Sequence, residues 1–168
     1  FIDLGVDRTL ASHVTGLTIS AWIQPKEITF DDHYIVFLST DSGGLPTLRS
    51  RAALGVTRSE ELLLIARSDD DEPFRFLQSD ADLVIDQWVF VSGVIDYANG
   101  RLHLYLDGQL LESRTVSFAQ PLSSAQPSGM NFISGHYDGY QSGFIGALDE
   151  VRIAGTARSA SWIRAQYL

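Results

Sequence analysis

The 168-residue sequence has no cysteine, and Lys26 is the one lysine among its twelve basic residues. The absence of cysteine excludes disulfide bonds and thiolate-bound metals. The basic residues are outnumbered by 21 acidic ones, which gives a formal net charge of −9 at pH 7. A surface with this charge repels phosphate backbones, so nucleic acid is not expected as a partner. Divalent cations or neutral ligands suit such a surface better.

Long hydrophobic runs are absent as well. No segment approaches the roughly 18 consecutive apolar residues that a membrane-spanning helix needs, and no charged-then-apolar leader opens the chain. Because Phe1 is not a natural start, we expect a mature form or a domain excised from a larger extracellular protein. The length fits a single domain, residues 1–168, with a sizeable core.

The sequence does contain a succession of short strand patterns. Residues 17–23 alternate, so that four apolar side chains share one face: Leu17, Ile19, Ala21 and Ile23. Comparable patterns predict strands at residues 33–39, 52–56, 62–66, 74–78 and 130–134. The clearest unit is a meander of three strands at residues 88–96, 101–106 and 110–116. Asn-Gly and Asp-Gly pairs separate these three strands, and both pairs tolerate the positive φ angles of tight hairpin turns.

The end of the chain shows helical spacing instead. Large side chains recur at the intervals of one helix face behind Ser159, which can cap the helix: Trp162, Ile163, Gln166 and Tyr167. We expect Trp22 and Trp88 to pack in the core or at its edge, and Trp162 to hold the helix against the sheets. These patterns predict an all-β fold, a two-sheet antiparallel β-sandwich or jelly roll with a short C-terminal helix.

Five segments in order resemble one family. They read FIDLG, LTISAWIQP, QWVFVSGVIDYANGRLHLYLDGQLL, NFISGHYDG and GFIGALDEVRIAGTARSASWIRAQYL. They are similar to the laminin-G-like, concanavalin A-like jelly-roll domains of bacterial extracellular proteins, and the resemblance spans nearly the whole chain. It implies two curved antiparallel sheets packed face to face. It also implies a non-catalytic accessory module, as found in adhesins, surface proteins and polysaccharide-degrading enzymes.

Two adjacent acids, Asp149 and Glu150, interrupt the last predicted strand. Neighbouring side chains of a strand point to opposite faces, so we expect one acid on each face. One alternative is that one acid faces solvent while the other pairs with Arg152 or caps a loop. The other alternative comes from the resemblance, which implies a structural calcium on the convex side of the sandwich with Asp149 as a ligand.

The calcium hypothesis needs further oxygen atoms, because this ion takes six to eight of them. Backbone carbonyls of residues 41–44 or of the amino-terminal segment are the expected partners. Asp3 and Asp41 are candidates for added side-chain ligands.

Two stretches have the composition of a sugar-binding loop, in which rings stack on pyranose faces and polar groups bond to hydroxyls. The first contains His136, Tyr137, Asp138, Tyr140 and Gln141, and the second contains Asp31, His33 and Tyr34. The alternative for the first stretch is an ordinary loop whose tyrosines pack over the sandwich edge.

Catalytic patterns are missing. The glucanases of the family use acids spaced Glu-x-Asp-x-x-Glu, and no such pattern occurs. We therefore predict no enzyme but a carbohydrate-binding, cell-surface-binding or adhesion module with a structural calcium, in a secreted or cell-surface protein. Carbohydrate or a cell-surface glycan and the neighbouring domains of the same chain are the expected partners. The alternatives are a spacer or protein-interaction domain of a multidomain secreted protein and, third, a glycan-cleaving enzyme of the glucanase type.

Overall fold

The computed structural model of the protein describes residues 1–5, 14–27, 32–39, 50–68, 73–118, 131–135 and 143–168. In chain order these residues form β1 (Ile2–Gly5), β2 (Gly16–Pro25), β3 (His33–Ser39), β4 (Ser50–Val56), β5 (Glu61–Ala66), β6 (Arg75–Asp82), β7 (Val89–Asp96), β8 (Arg101–Leu106), β9 (Gln109–Thr115), β10 (Asn131–Ile133), β11 (Gly146–Ala154) and the helix α1 (Ala160–Tyr167).

The strands belong to two antiparallel sheets. One sheet has six strands in the order β1-β10-β3-β4-β5-β6, and the other has five in the order β11-β2-β7-β8-β9. The predicted two-sheet antiparallel sandwich with a short C-terminal helix is confirmed, as is the meander, which forms β7, β8 and β9. Within the described part of the chain, no helix is long and apolar enough to cross a membrane.

The inner faces of the two sheets enclose the main core. The side chains predicted to share one face of β2 are all fully buried there: Leu17, Ile19, Ala21 and Ile23. Gly93 of β7 lies where the sheets approach closely, because a Cβ at this position would lie 2.6 Å from Leu64 Cδ1. The alternation predicted from the sequence therefore directs these side chains into the core.

The outer face of the five-stranded sheet is covered by α1. Phe90 and Tyr105 point away from the main core and pack beneath the helix, where Ile163 is fully buried. Ser159 caps the helix as predicted, because its Oγ accepts a hydrogen bond from Trp162 N at 3.3 Å. Trp162 packs against the same cluster, which confirms its predicted role in holding the helix.

The outer face of the six-stranded sheet carries a row of residues that are paired across adjacent strands. We call it the aromatic row: Phe132, Phe37, Ala53, Ile65 and Phe76. Phe37 and Phe132 are buried, whereas Phe76 on the edge strand β6 is 50% exposed. The guanidinium of Arg114 lies 5.4 Å from the centre of the Phe76 ring, so a cation–π contact covers the open end of the row.

Candidate functional site

Strand β11 contains a β-bulge at the two adjacent acids. Asp149 pairs with Trp22 of β2 and Arg152 pairs with Ser20, so three residue steps on β11 match two steps on β2. Glu150 adopts a positive φ of 50° at this point. The prediction that the two acids point to opposite faces is therefore wrong, because the extra residue breaks the alternation. Both acids are exposed and line the same cleft.

The bulge also decides which residues of β11 enter the core. Leu148, Val151 and Ile153 all pack against the main core. Their spacing of three residues and then two fits a strand with one extra residue, since regular alternation would turn Val151 and Ile153 to the opposite face from Leu148.

The two carboxylates are held by different partners. Asp149 Oδ1 accepts a hydrogen bond from Glu150 N at 2.7 Å, and Glu150 Oε2 accepts one from Arg152 Nη2 at 2.8 Å. The predicted pairing of one acid with Arg152 is thus confirmed. Each carboxylate keeps one oxygen, Asp149 Oδ2 and Glu150 Oε1, that accepts no hydrogen bond from the described residues. These oxygens are acceptors for a hydroxyl or an ammonium group.

Trp22 stands beside Asp149 on the outer face of the five-stranded sheet. Its ring stacks on that of Tyr167, from the last turn of α1, with 5.8 Å between ring centres, and it contacts Phe90 at 5.6 Å. Gly108 permits this arrangement, because its φ is +73° and a Cβ there would lie 3.1 Å from Tyr167 Cβ. The turn between β8 and β9 thus sets the position of Tyr167.

Trp88 precedes β7 and is 46% exposed. Its segment is fastened to the end of β2: Asp86 N donates to Pro25 O at 2.7 Å, and Gln24 Nε2 donates to Asp86 O at 2.9 Å. Lys26 adds an ion pair with Asp86 at 2.5 Å. Trp88 was expected in the core or at its edge; its exposure excludes the core, because the residue lies just outside β7 and most of its segment faces solvent.

These elements line an open cleft of about 520 Å³, a volume within the range of small-ligand sites. We call it the aromatic cleft, and its described lining consists of Trp22, Trp88, Asp149, Glu150, Gln166, Tyr167 and Leu168. This lining offers three aromatic rings, two carboxylates and one amide, and it contains no basic side chain. A ligand with both apolar ring faces and hydrogen-bond donors matches that chemistry.

The calcium candidates are not brought together in the described structure. Asp3 belongs to β1 of the six-stranded sheet, whereas Asp149 belongs to the other sheet. The Oδ1 atom of Asp3 accepts a hydrogen bond from Gly5 N at 2.7 Å. Among the residues described, no group of three or more His, Cys, Asp or Glu side chains could hold a metal ion. Calcium at Asp149 stays a prediction that would need backbone carbonyls and water to complete the ligand set.

The sugar-binding candidates His33 and Tyr34 are placed away from the aromatic cleft. His33 is buried, with its Nδ1 atom 2.8 Å from Gly143 O. Tyr34 is half-buried and packs edge-on against Phe37, with 5.3 Å between ring centres. The other candidates lie outside the described residues: Asp41 for calcium, and Asp31, His136, Tyr137, Asp138, Tyr140 and Gln141 for sugar.

Sequence reasoning named Asp149 only as a calcium ligand and did not offer the other six lining residues as ligand-binding candidates: Trp22, Trp88, Glu150, Gln166, Tyr167 and Leu168. A signal for Glu150 was present, since the irregular spacing of the apolar residues in β11 indicates a bulge. No local pattern places Tyr167 against Trp22, because that contact depends on how the helix docks.

Solved structures of low sequence identity share this fold. The CBM40 module of a Ruminococcus gnavus IT-sialidase bound to α2,3-sialyllactose has a TM-score of 0.73 and 15% identity, over 94% of this chain and 84% of that chain. Domain 4 of an extracellular arabinanase from Geobacillus stearothermophilus in complex with arabinotriose has a TM-score of 0.71 and 17% identity, over 99% and 71%. A heptameric SAP-like pentraxin from Limulus polyphemus has a TM-score of 0.67 and 16% identity, over 92% and 70%.

The comparison with curated protein sequences finds no match. The family described as the concanavalin A-like lectin/glucanases superfamily matches residues 3–164, which is nearly the whole chain. The two antiparallel sheets agree with that match. The resemblance to laminin-G-like jelly rolls is thereby confirmed, and the chain belongs to the concanavalin A-like lectin/glucanase superfamily.

Proposed function

We propose that the protein is a non-catalytic carbohydrate-binding module and that the aromatic cleft is its ligand site. The observation that carries the proposal is the convergence of three aromatic side chains and two carboxylates on one cleft of about 520 Å³. Aromatic faces stack on the apolar faces of sugar rings, and carboxylates accept hydrogen bonds from sugar hydroxyls. The backbone bonds of Asp86 hold the segment of Trp88 in place, so little backbone ordering is required on binding.

The similar structures support the ligand class. The modules from Ruminococcus gnavus and Geobacillus stearothermophilus are described with oligosaccharides bound. The Geobacillus domain belongs to an extracellular arabinanase. That likeness supports the proposal that this module belongs to a secreted or cell-surface protein, where glycan binding would serve attachment or adhesion.

The arrangement of the acids favours binding over hydrolysis. A glycosidase holds two carboxyl groups across the scissile bond, about 5 to 9.5 Å apart, and keeps one of them protonated in apolar surroundings. Asp149 and Glu150 are instead neighbours on one strand, both are exposed, and Glu150 is ion-paired with Arg152. The glucanase-type alternative therefore has less support than the binding module.

The proposal is tested by measuring glycan binding of the Trp88→Ala variant. A glycan array first identifies a bound saccharide, and calorimetry then gives its Kd. We expect Trp88→Ala to weaken binding about tenfold or more, because tryptophan is among the residues that most often act as binding hot spots and this ring is open to a ligand. Phe76→Ala is the matched control, since it removes a similarly exposed ring from the other sheet.

Two outcomes contradict the proposal. If the array shows no glycan binding, the carbohydrate-binding function is rejected in favour of the spacer or protein-interaction role. If Phe76→Ala weakens binding while Trp88→Ala does not, the ligand site lies on the six-stranded sheet.

A calcium ion held by Asp149 is a separate proposal that rests on the family resemblance. The free oxygens of Asp149 and Glu150 support it, and backbone carbonyls and water would supply the remaining ligands. We expect a chelator to lower the melting temperature of the protein but not that of Asp149→Asn, because calcium stabilises only a folded state that binds it. A melting temperature of the unmodified protein that does not respond to chelator would end this proposal.

A further inference from the structure

We infer that the aromatic cleft selects saccharides that carry a free, protonated amino group, with Asp149 as the counter-ion. The inference rests on the proposed function of the cleft and adds the class of saccharide. It follows from the charges in the lining and from the position of Asp149 beside an indole ring.

The charge of the cleft is negative. Its described lining contains two carboxylates and no basic side chain. Arg152, two residues beyond Glu150 on β11, forms an ion pair with Glu150 Oε2 at 2.8 Å. Its positive charge therefore compensates the charge of Glu150. Asp149 has no basic partner in the described structure. The net charge of −9 on the whole chain adds a field of the same sign, which favours cationic ligands.

The position of Asp149 suits an ammonium group in particular. Asp149 and Trp22 are direct cross-strand partners, so their side chains leave the sheet on the same face about 5 Å apart. An ammonium that pairs with Asp149 would therefore also lie beside the Trp22 indole, whose stacking on Tyr167 holds the ring in place. Glu150 N holds Asp149 Oδ1 at 2.7 Å, which leaves Oδ2 for the ligand.

Neutral and anionic saccharides have no positive charge to pair with Asp149. A neutral sugar can donate hydroxyl hydrogen bonds to the two carboxylates but gains no charge pairing. A sugar acid brings a like charge next to Asp149, which is repulsive. The Ruminococcus gnavus module is described with sialyllactose, an anionic ligand. The lining of this cleft predicts the opposite preference.

The test compares three β-1,4-linked hexamers of equal length, built from glucosamine, N-acetylglucosamine and glucose. Binding is measured by calorimetry at mildly acidic pH, where the amino groups are protonated, and in chelator, so that no calcium occupies Asp149. We expect the glucosamine hexamer to bind about tenfold more tightly than the other two, and added salt to reduce this difference. Asp149→Asn should abolish the preference. Glu112→Gln, which removes the same charge from β9 outside the cleft lining, should preserve it.

The outcomes separate this inference from the proposed function. If the acetylated or the neutral hexamer binds as tightly as the glucosamine hexamer, the amine preference is wrong and the carbohydrate-binding function stands. The inference is also overturned if Asp149→Asn retains the preference. If none of the hexamers binds but another glycan binds through Trp88, the inference is wrong and the proposed function stands. Absence of any glycan binding rejects both.

Discussion

The outer faces of the two sheets both carry aromatic side chains, yet they use them differently. On the six-stranded sheet, Phe37 and Phe132 of the aromatic row are buried, and Arg114 covers the exposed ring of Phe76 at the end of the row. On the five-stranded sheet the cluster beneath α1 continues into a cleft where Trp88 stays open beside two acids. A ring covered by neighbours contributes mainly to stability, whereas an open ring beside free acceptors is available for recognition.

The aromatic row and the cleft also differ in the local strand pairing that positions their residues. Five residues of the aromatic row lie in matching positions on five adjacent strands. The cleft depends instead on an irregularity, the bulge that places Asp149 and Glu150 on the same side of β11. Regular pairing sets similar side chains next to one another along the row. The bulge instead directs the side chains of Asp149 and Glu150 toward the same cleft.

The largest expected effects come from removing the buried anchor of each face. Phe37→Ala should lower the free energy of unfolding by about 3–5 kcal/mol and Ile163→Ala by about 2–5 kcal/mol, because both side chains are buried and leave cavities. Denaturant unfolding measures these losses. Only Ile163→Ala should also weaken glycan binding, since Ile163 anchors the helix that carries Tyr167. Equal weakening by Phe37→Ala would show that the two faces are coupled.

Deleting Glu150 should have a smaller effect on stability. The deletion removes the bulge, so it tests whether the irregular pairing of β11 is needed for the fold or only for the cleft. The deletion restores regular alternation, with Val151 and Ile153 still facing the core. It removes an exposed ion pair worth about 0–1 kcal/mol and a left-handed residue that costs about 1–2 kcal/mol. We therefore expect the free energy of unfolding to rise by about 0–2 kcal/mol, as measured in denaturant.

Deletion of Val151 is the matched control. It also shortens β11 by one residue, but it turns Glu150 toward the core, and burying that carboxylate is strongly unfavourable. If both deletions destabilise the protein equally, the bulge is not what keeps the core residues of β11 in register.

The smallest expected effect is a pH dependence on the outer face of the five-stranded sheet. His103 on β8 is paired with Val94, which packs beneath α1. Burial lowers the pKa of His103, the Arg101 charge lowers it further, and Asp96 opposes the shift. The unfolded chain therefore binds a proton more readily than the folded one, so stability should fall as pH drops below the unfolded value of about 6.5.

The measurement is the melting temperature between neutral and mildly acidic pH. In His103→Gln, the fall in melting temperature that begins near pH ~6.5 should be absent, and the melting temperature above that pH should be nearly unchanged. An unaltered slope in the variant would assign the pH dependence to other groups.

Much of the fold could be predicted because it depends on local patterns. Residues 33–39 form β3 as predicted, the meander strands begin and end within one residue of their predicted bounds, and Ser159 caps α1. The candidate site was harder to predict. Asp149 was identified as a candidate ligand, yet its neighbour was assigned to the wrong face, because regular alternation was assumed where the spacing of Leu148 and Val151 indicates a bulge.

The sequence by itself determined the strand alternation, the hairpin turns, the helix cap and the negative charge, because each depends on the identity and spacing of nearby residues. Only the tertiary structure decided that Asp149, Trp88 and Tyr167 meet in one cleft. These residues come from an edge strand, from the segment before β7 and from the terminal helix. Their meeting depends on the pairing of β11 with β2 and on the docking of α1 over Ile163, which no short stretch of sequence encodes.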